Sequence, residues 1–103
     1  YFFYPPYSIL YYKLMQNAGY LEEYLKFKSY VFSIMKNYKN IKLYDFQSED
    51  IVTCNLANYK DITHYHQRIN LWMLNNMRMG TYLVSKDNID KMINKLNEQV
   101  QRY

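Results

Sequence analysis

Asp61 and His64 stand three residues apart in the stretch Asn58 to Leu74, N-Y-K-D-I-T-H-Y-H-Q-R-I-N-L-W-M-L, which also holds His66 and the only tryptophan, Trp72. Side chains three apart in a tight turn or a first helical turn face the same side, so a carboxylate at 61 reaches an imidazole at 64 and fixes its tautomer. Anchoring one ring nitrogen leaves the other to take up a proton, which is the wiring of a general base. The same spacing serves a plainer purpose: Asp61 can cap a helix beginning near Thr63, with His64 exposed beside it. Spacing alone leaves both readings open.

The wider block reads N-Y-x-D-x-x-H-Y followed by an amphipathic segment: Asn58, Tyr59, Asp61, His64 and Tyr65, then Ile69, Trp72 and Met73. It resembles the last sequence block of the SGNH (GDSL-like) hydrolase superfamily, and more closely the ends of bacterial SGNH-like proteins of cell-surface polysaccharide modification. The resemblance implies His64 as the base and Asp61 as its orienter in a Ser-His-Asp triad. It also implies a flavodoxin-like parallel sheet sandwiched by helices, and an esterase or O-acyltransferase acting on acylated surface carbohydrate outside the cytoplasm. The Gly-Asp-Ser block of that superfamily is missing: neither Gly19 nor Gly80 precedes Asp-Ser, and Ser8, Ser29, Ser33, Ser48 and Ser85 stand in other contexts. The chain opens on Tyr1-Phe2-Phe3-Tyr4 without an initiator methionine. The expectation is therefore a C-terminal, base-supplying portion of a larger domain, inactive by itself. Its partner would be the rest of its own chain or another copy.

Composition narrows the alternatives. The 103 residues suffice for one domain with a modest core. Aromatic residues make up 19% and fourteen of them are tyrosines, a side chain suited to half-buried surfaces and interfaces. A non-catalytic, Tyr-rich interaction module is the alternative function. The net charge of +4 raises single-stranded nucleic acid as a ligand. The lysines at 13, 26, 28, 36, 39, 42, 60, 86, 91 and 95 are spread along the chain, however, and read as solvated faces rather than a nucleic-acid groove. A single Cys54 excludes an intrachain disulfide and a cysteine-based zinc site, and two histidines add no familiar ligand set, so no metal or cofactor is expected. No run approaches the roughly 20 apolar residues of a membrane span.

The elements that must position the pair alternate strand and helix. Tyr1 to Tyr4 is an unbroken apolar run stopped by Pro5-Pro6, as suits a parallel strand covered on both faces. Ser8 is placed to cap a short helix from Ile9 to about Asn17, with Gly19 as its terminator. At the strand's end Tyr7 or Ser8 could touch substrate, capping being the competing duty of Ser8. A long helix follows, with Tyr20, Tyr24, Phe27, Val31, Ile34 and Tyr38 stepping by four and three, flanked by Leu21, Leu25, Phe32 and Met35, as one broad apolar face, and Glu22, Glu23, Lys26, Lys28 and Lys36 as its polar face. Asn40 to Phe46 makes a second strand, parallel to the first because a helical crossover joins them. Gln47 to Lys60 is a long connection. Past His64 a helix runs towards Gly80 with Arg68 one turn on, either an anion or substrate contact or a surface cation. Thr81 to Val84 suits an edge strand. Ser85 is placed to cap a last helix whose core face is Ile89, Ile93, Leu96, Val100 and Tyr103. The total is α/β, about two strands and four helices.

Overall fold

The first strand stops where proline removes the ladder donor, and the chain turns at once into a helix. In the computed structural model, which describes residues 1–103, β1 spans Phe2–Tyr4 and α1 spans Ile9–Asn17. Ser8 Oγ accepts the Leu10 N–H at 3.2 Å, the expected cap. Gly19, at φ +85°, turns the chain so that the Tyr20 N–H closes on Met15 O at 2.9 Å before α2, Leu21–Met35, begins. β2 is Leu43–Asp45, followed by a single-turn α3, Asp50–Thr53, and a 3-10 turn at Leu56–Asn58. The long helices α4, Gln67–Met79, and α5, Ile89–Arg102, complete the chain. The four longer helices match the expectation, and α3 is added by the connection.

The two strands pair in parallel, Phe2 with Leu43, Phe3 with Tyr44 and Tyr4 with Asp45. Alternation along the strands gives the sheet two faces. On one, Leu43 joins Val84 and Ile89, with Tyr4 and with Phe32 and Met35 of α2 and Met92 and Ile93 of α5. On the other, Tyr44 and Phe46 join Ile69 and Met73 of α4, with Trp72 and Tyr82 packed alongside. Helices thus cover both faces. Ile9 and Tyr12 of α1, Leu21 of α2 and Leu96 and Val100 of α5 form a further core that locks the first layer together. No helix is long and apolar enough to cross a membrane.

Three local expectations are corrected. The part of α2's broad apolar face that packs inward is Leu21, Tyr24, Leu25, Phe32 and Met35, joined by Lys28 from the expected polar face. Tyr20, Phe27, Ile34 and Tyr38 are each about half exposed or more. Because α2 is apolar over most of its circumference, periodicity could not choose the inward face. A buried polar contact of Lys28 chooses it: the ammonium lies 2.7 Å from Asp45 Oδ2 and donates to Gln47 Oε1 at 2.8 Å. Thr81–Val84 forms one antiparallel bridge, Leu83 with Tyr44, rather than a strand. The cap of α5 is Asn88, with Ser85 accepting the Ile89 N–H on its backbone oxygen at 3.0 Å.

Candidate functional site

Asp61 and His64 sit at the tip of a small hairpin rather than in a helix. Tyr59 and Tyr65 bridge antiparallel, the Lys60 N–H donates to His64 O at 2.8 Å and the His66 N–H to Asn58 O at 2.6 Å. α4 therefore begins three residues after His64, capped by His66, whose Nδ1 accepts the Arg68 N–H at 3.1 Å. Asp61 does not cap that helix. Its Oδ1 accepts the N–H groups of Thr63 and His64 at 3.0 and 2.9 Å, closing an Asx-type turn.

The same carboxylate holds the imidazole. His64 Nδ1 lies 2.9 Å from Asp61 Oδ1 and 2.8 Å from Oδ2, while Nε2 has no hydrogen-bond partner in the protein. A proton on Nδ1 satisfies the carboxylate and leaves the Nε2 lone pair free. Besides the Thr63 hydroxyl, which donates to Asp61 Oδ1 at 3.3 Å, three donors set the state of Asp61: the Thr63 N–H most of all, then the His64 ring and the His64 N–H. They hold its carboxyl well below the usual carboxylate range.

His64 opens into a cleft of about 450 Å³ lined by Phe3, Pro5, Tyr7, Thr63, Tyr65 and Asn70. Phe3 and Pro5 mark the carboxyl end of β1, the edge at which ligands bind in open parallel sheets. The hairpin is fastened to this edge: Tyr59 Oη donates to Pro6 O at 2.6 Å, Gln47 Nε2 to Pro5 O at 3.2 Å, and the Ser8 N–H to Ile62 O at 3.1 Å. Tyr65 is half-buried, and its phenol is raised above the ordinary tyrosine value by burial and then by the nearness of Tyr7.

Of the residues singled out from sequence, Tyr7 lines the cleft with His64. Ser8 is fully buried and committed to its cap, so it is not available to a substrate. Arg68 is not on a helix face shared with His64; its Nη2 donates to Asn58 Oδ1 at 2.7 Å, bracing the base of the hairpin. Tyr65 belonged to the block around the pair and Pro5 to the turn at the strand end, whereas nothing marked Phe3, Thr63 and Asn70 as lining a cleft. The one signal for the hairpin was the tyrosine on either side of D-x-x-H. No group of three His, Cys, Asp or Glu side chains comes together anywhere in the fold. The one hydroxyl within hydrogen-bond distance of the imidazole is Thr63 Oγ1, 3.4 Å from the already anchored Nδ1. The arrangement can accept a proton at Nε2 and stabilise the resulting imidazolium through Asp61. It does not itself supply the group that loses the proton.

No family model matches this chain, and neither does any curated protein or solved structure.

Proposed function

We propose that this chain is the base-supplying C-terminal part of an SGNH-like esterase or O-acyltransferase acting on acylated surface carbohydrate. A serine from the rest of the polypeptide or from a second copy would approach Nε2. His64 takes its proton, the serine oxygen attacks the acyl carbon, and Asp61 steadies the imidazolium. The same imidazolium returns the proton to the departing alkoxide, and a water or a sugar hydroxyl then takes the acyl group from the serine. In the same proposal the two-stranded sheet is part of a flavodoxin-like, SGNH-type sheet, and the protein acts outside the cytoplasm.

The observation that carries the reading is an imidazole anchored on Nδ1 and unbonded on Nε2, beside the carboxyl end of a parallel strand. The test is His64→Ala in the full-length protein with an aryl acetate as substrate. Turnover is expected to fall by at least about a thousandfold, by analogy with the loss of other triad members. Undiminished turnover rejects the role.

One observation favours a second reading. The outer side of α2 exposes Tyr20, Phe27, Tyr30, Ile34 and Tyr38, a surface fit for a Tyr-rich interaction module. A full-length sequence without any Gly-Asp-Ser block would favour it over catalysis.

A further inference from the structure

The lysines that are scattered in sequence do not stay scattered in the fold. Lys36, Lys39, Lys42 and Lys86 all line one cleft of about 650 Å³, and no carboxylate lines it. All four are exposed, and none belongs to an ion pair. Four of the thirteen basic side chains, and none of the nine acidic ones, therefore line this one cleft. Its interior is of the opposite character: Phe32, Met35, Leu43 and Val84 line it beneath the lysines, and Leu43 and Val84 are buried core residues.

A helix dipole accounts for only part of this. Lys36 follows the last residue of α2, where cations are favoured, but that effect fades within a turn and reaches neither Lys42 nor Lys86. Lys42 lines the cleft, but its ammonium rests 5.5 Å over the Tyr1 ring, which packs on Tyr44 on the other face of the sheet, so Lys36, Lys39 and Lys86 are the cations that meet a ligand. Apolar contacts below and cations above, in a concavity of small-molecule size, call for a ligand with the same two ends.

We propose that this cleft binds a single small amphiphile with an anionic head, its hydrocarbon body against Phe32, Met35, Leu43 and Val84 and its head among Lys36, Lys39 and Lys86. The site enters the sheet at the amino end of β2, opposite the strand end that carries His64, and does not depend on the acyl-transfer reading. A membrane surface or a nucleic acid would use the same charge, but neither calls for an apolar concavity beneath it.

The experiment titrates the full-length protein, selectively methyl-labelled at leucine and valine, with three probes: decyl phosphate below its micelle concentration, inorganic phosphate, and decyl maltoside. Decyl phosphate is expected to shift the Leu43 and Val84 methyls and to bind at least about tenfold more tightly than either probe that lacks one of its two ends. Replacing these three lysines (Lys36→Gln, Lys39→Gln, Lys86→Gln) should weaken it by at least about tenfold, whereas the exposed pair Lys91→Gln and Lys95→Gln should change it by less than about twofold. Parity between decyl phosphate and inorganic phosphate would reduce the cleft to a patch of surface charge and overturn the proposal. So would an equal effect of the control pair, or anionic vesicles or an oligonucleotide binding through the three lysines while decyl phosphate does not.

Discussion

Lys28 Nζ lies 2.7 Å from Asp45 Oδ2, and neither side chain exposes any surface to solvent. The ammonium also donates to Gln47 Oε1 at 2.8 Å and stands 4.8 Å over the Tyr4 ring. Asp45 Oδ1 accepts the Gln47 N–H at 2.9 Å, so the pair is woven into the segment that leaves β2. Burial pulls Lys28 below the ordinary lysine value, with Asp45 pulling the other way. Burial, and then the charge of Asp45, pushes the Tyr4 phenol up to about 12.

A pair so enclosed resists the loss of one member more than the loss of both. Lys28→Met leaves a carboxylate without its counter-ion in the core and should cost about 3–5 kcal/mol. The double variant Lys28→Met, Asp45→Asn keeps an acceptor for the Gln47 N–H and should recover most of that loss. Urea unfolding followed by Trp72 fluorescence measures both. A double variant as unstable as the single one would show that packing of the lysine stem, and not the charge, is what matters.

The fastening of the cleft makes its own prediction. Tyr59→Phe removes only the hydroxyl that donates to Pro6 O and leaves that carbonyl, in a buried residue, unsatisfied. The expected cost is about 1–3 kcal/mol of stability. If the proposed catalytic role of His64 holds and the hairpin keeps it in its working position, the full-length protein should also lose kcat with little change in KM. Loss of stability with kcat intact would mark Tyr59 as a brace of the fold alone.

These two cases mark what the sequence could and could not reveal. β1, the Ser8 cap, the turn at Gly19 and the parallel pairing were readable because each depends on neighbours in sequence or on the length of a crossover. The burial of Lys28 on the inward face of α2 was not readable, since it is held there by Asp45 and Gln47, partners seventeen and nineteen positions away. A lysine on a mostly apolar helix reads as solvated until its counter-ion is seen. Asp61 and His64 were readable as a pair in contact, but the hairpin that presents them needs Tyr59 opposite Tyr65, a pairing that helical periodicity obscures. The clustering of Lys86 with Lys36, Lys39 and Lys42 is a property of the folded chain alone.

The Asp61 turn predicts a pH dependence with a definite sign. Its folded-state carboxyl value is depressed, so the turn contributes stability that is present above the unfolded value, about 4, and is lost as pH falls through the lower folded value. Asp61→Asn should flatten the acid limb of the stability profile below about pH 4 and leave the neutral region nearly unchanged. Both side chains are solvent-exposed, so the change will be small. A carbon-13 titration of the Asp61 carboxyl is the sharper measurement. In His64→Ala its midpoint should rise only part of the way, because the Thr63 and His64 backbone donors remain. A complete return to the ordinary value would make the imidazole the dominant cause.

The last prediction concerns the open side of the sheet. The Phe2 N–H donates to Lys42 O at 2.8 Å and Tyr4 O accepts the Phe46 N–H at 3.4 Å, so residues 2 and 4 turn their backbone groups towards β2. In a parallel ladder the intervening Phe3 then points its N–H and C=O outward, where no further strand meets them. Phe2 and Phe3, on opposite faces of this edge, are 52% and 45% exposed. An edge strand with apolar side chains and no charge is a template for pairing. The chain of residues 1–103 alone should therefore self-associate as its concentration rises, and Phe2→Lys, which places a charge on the edge without touching the His64 cleft, should suppress it. Sedimentation equilibrium over a wide concentration range decides the matter: a monomer throughout, or association unchanged by Phe2→Lys, would show that the edge is not where copies meet.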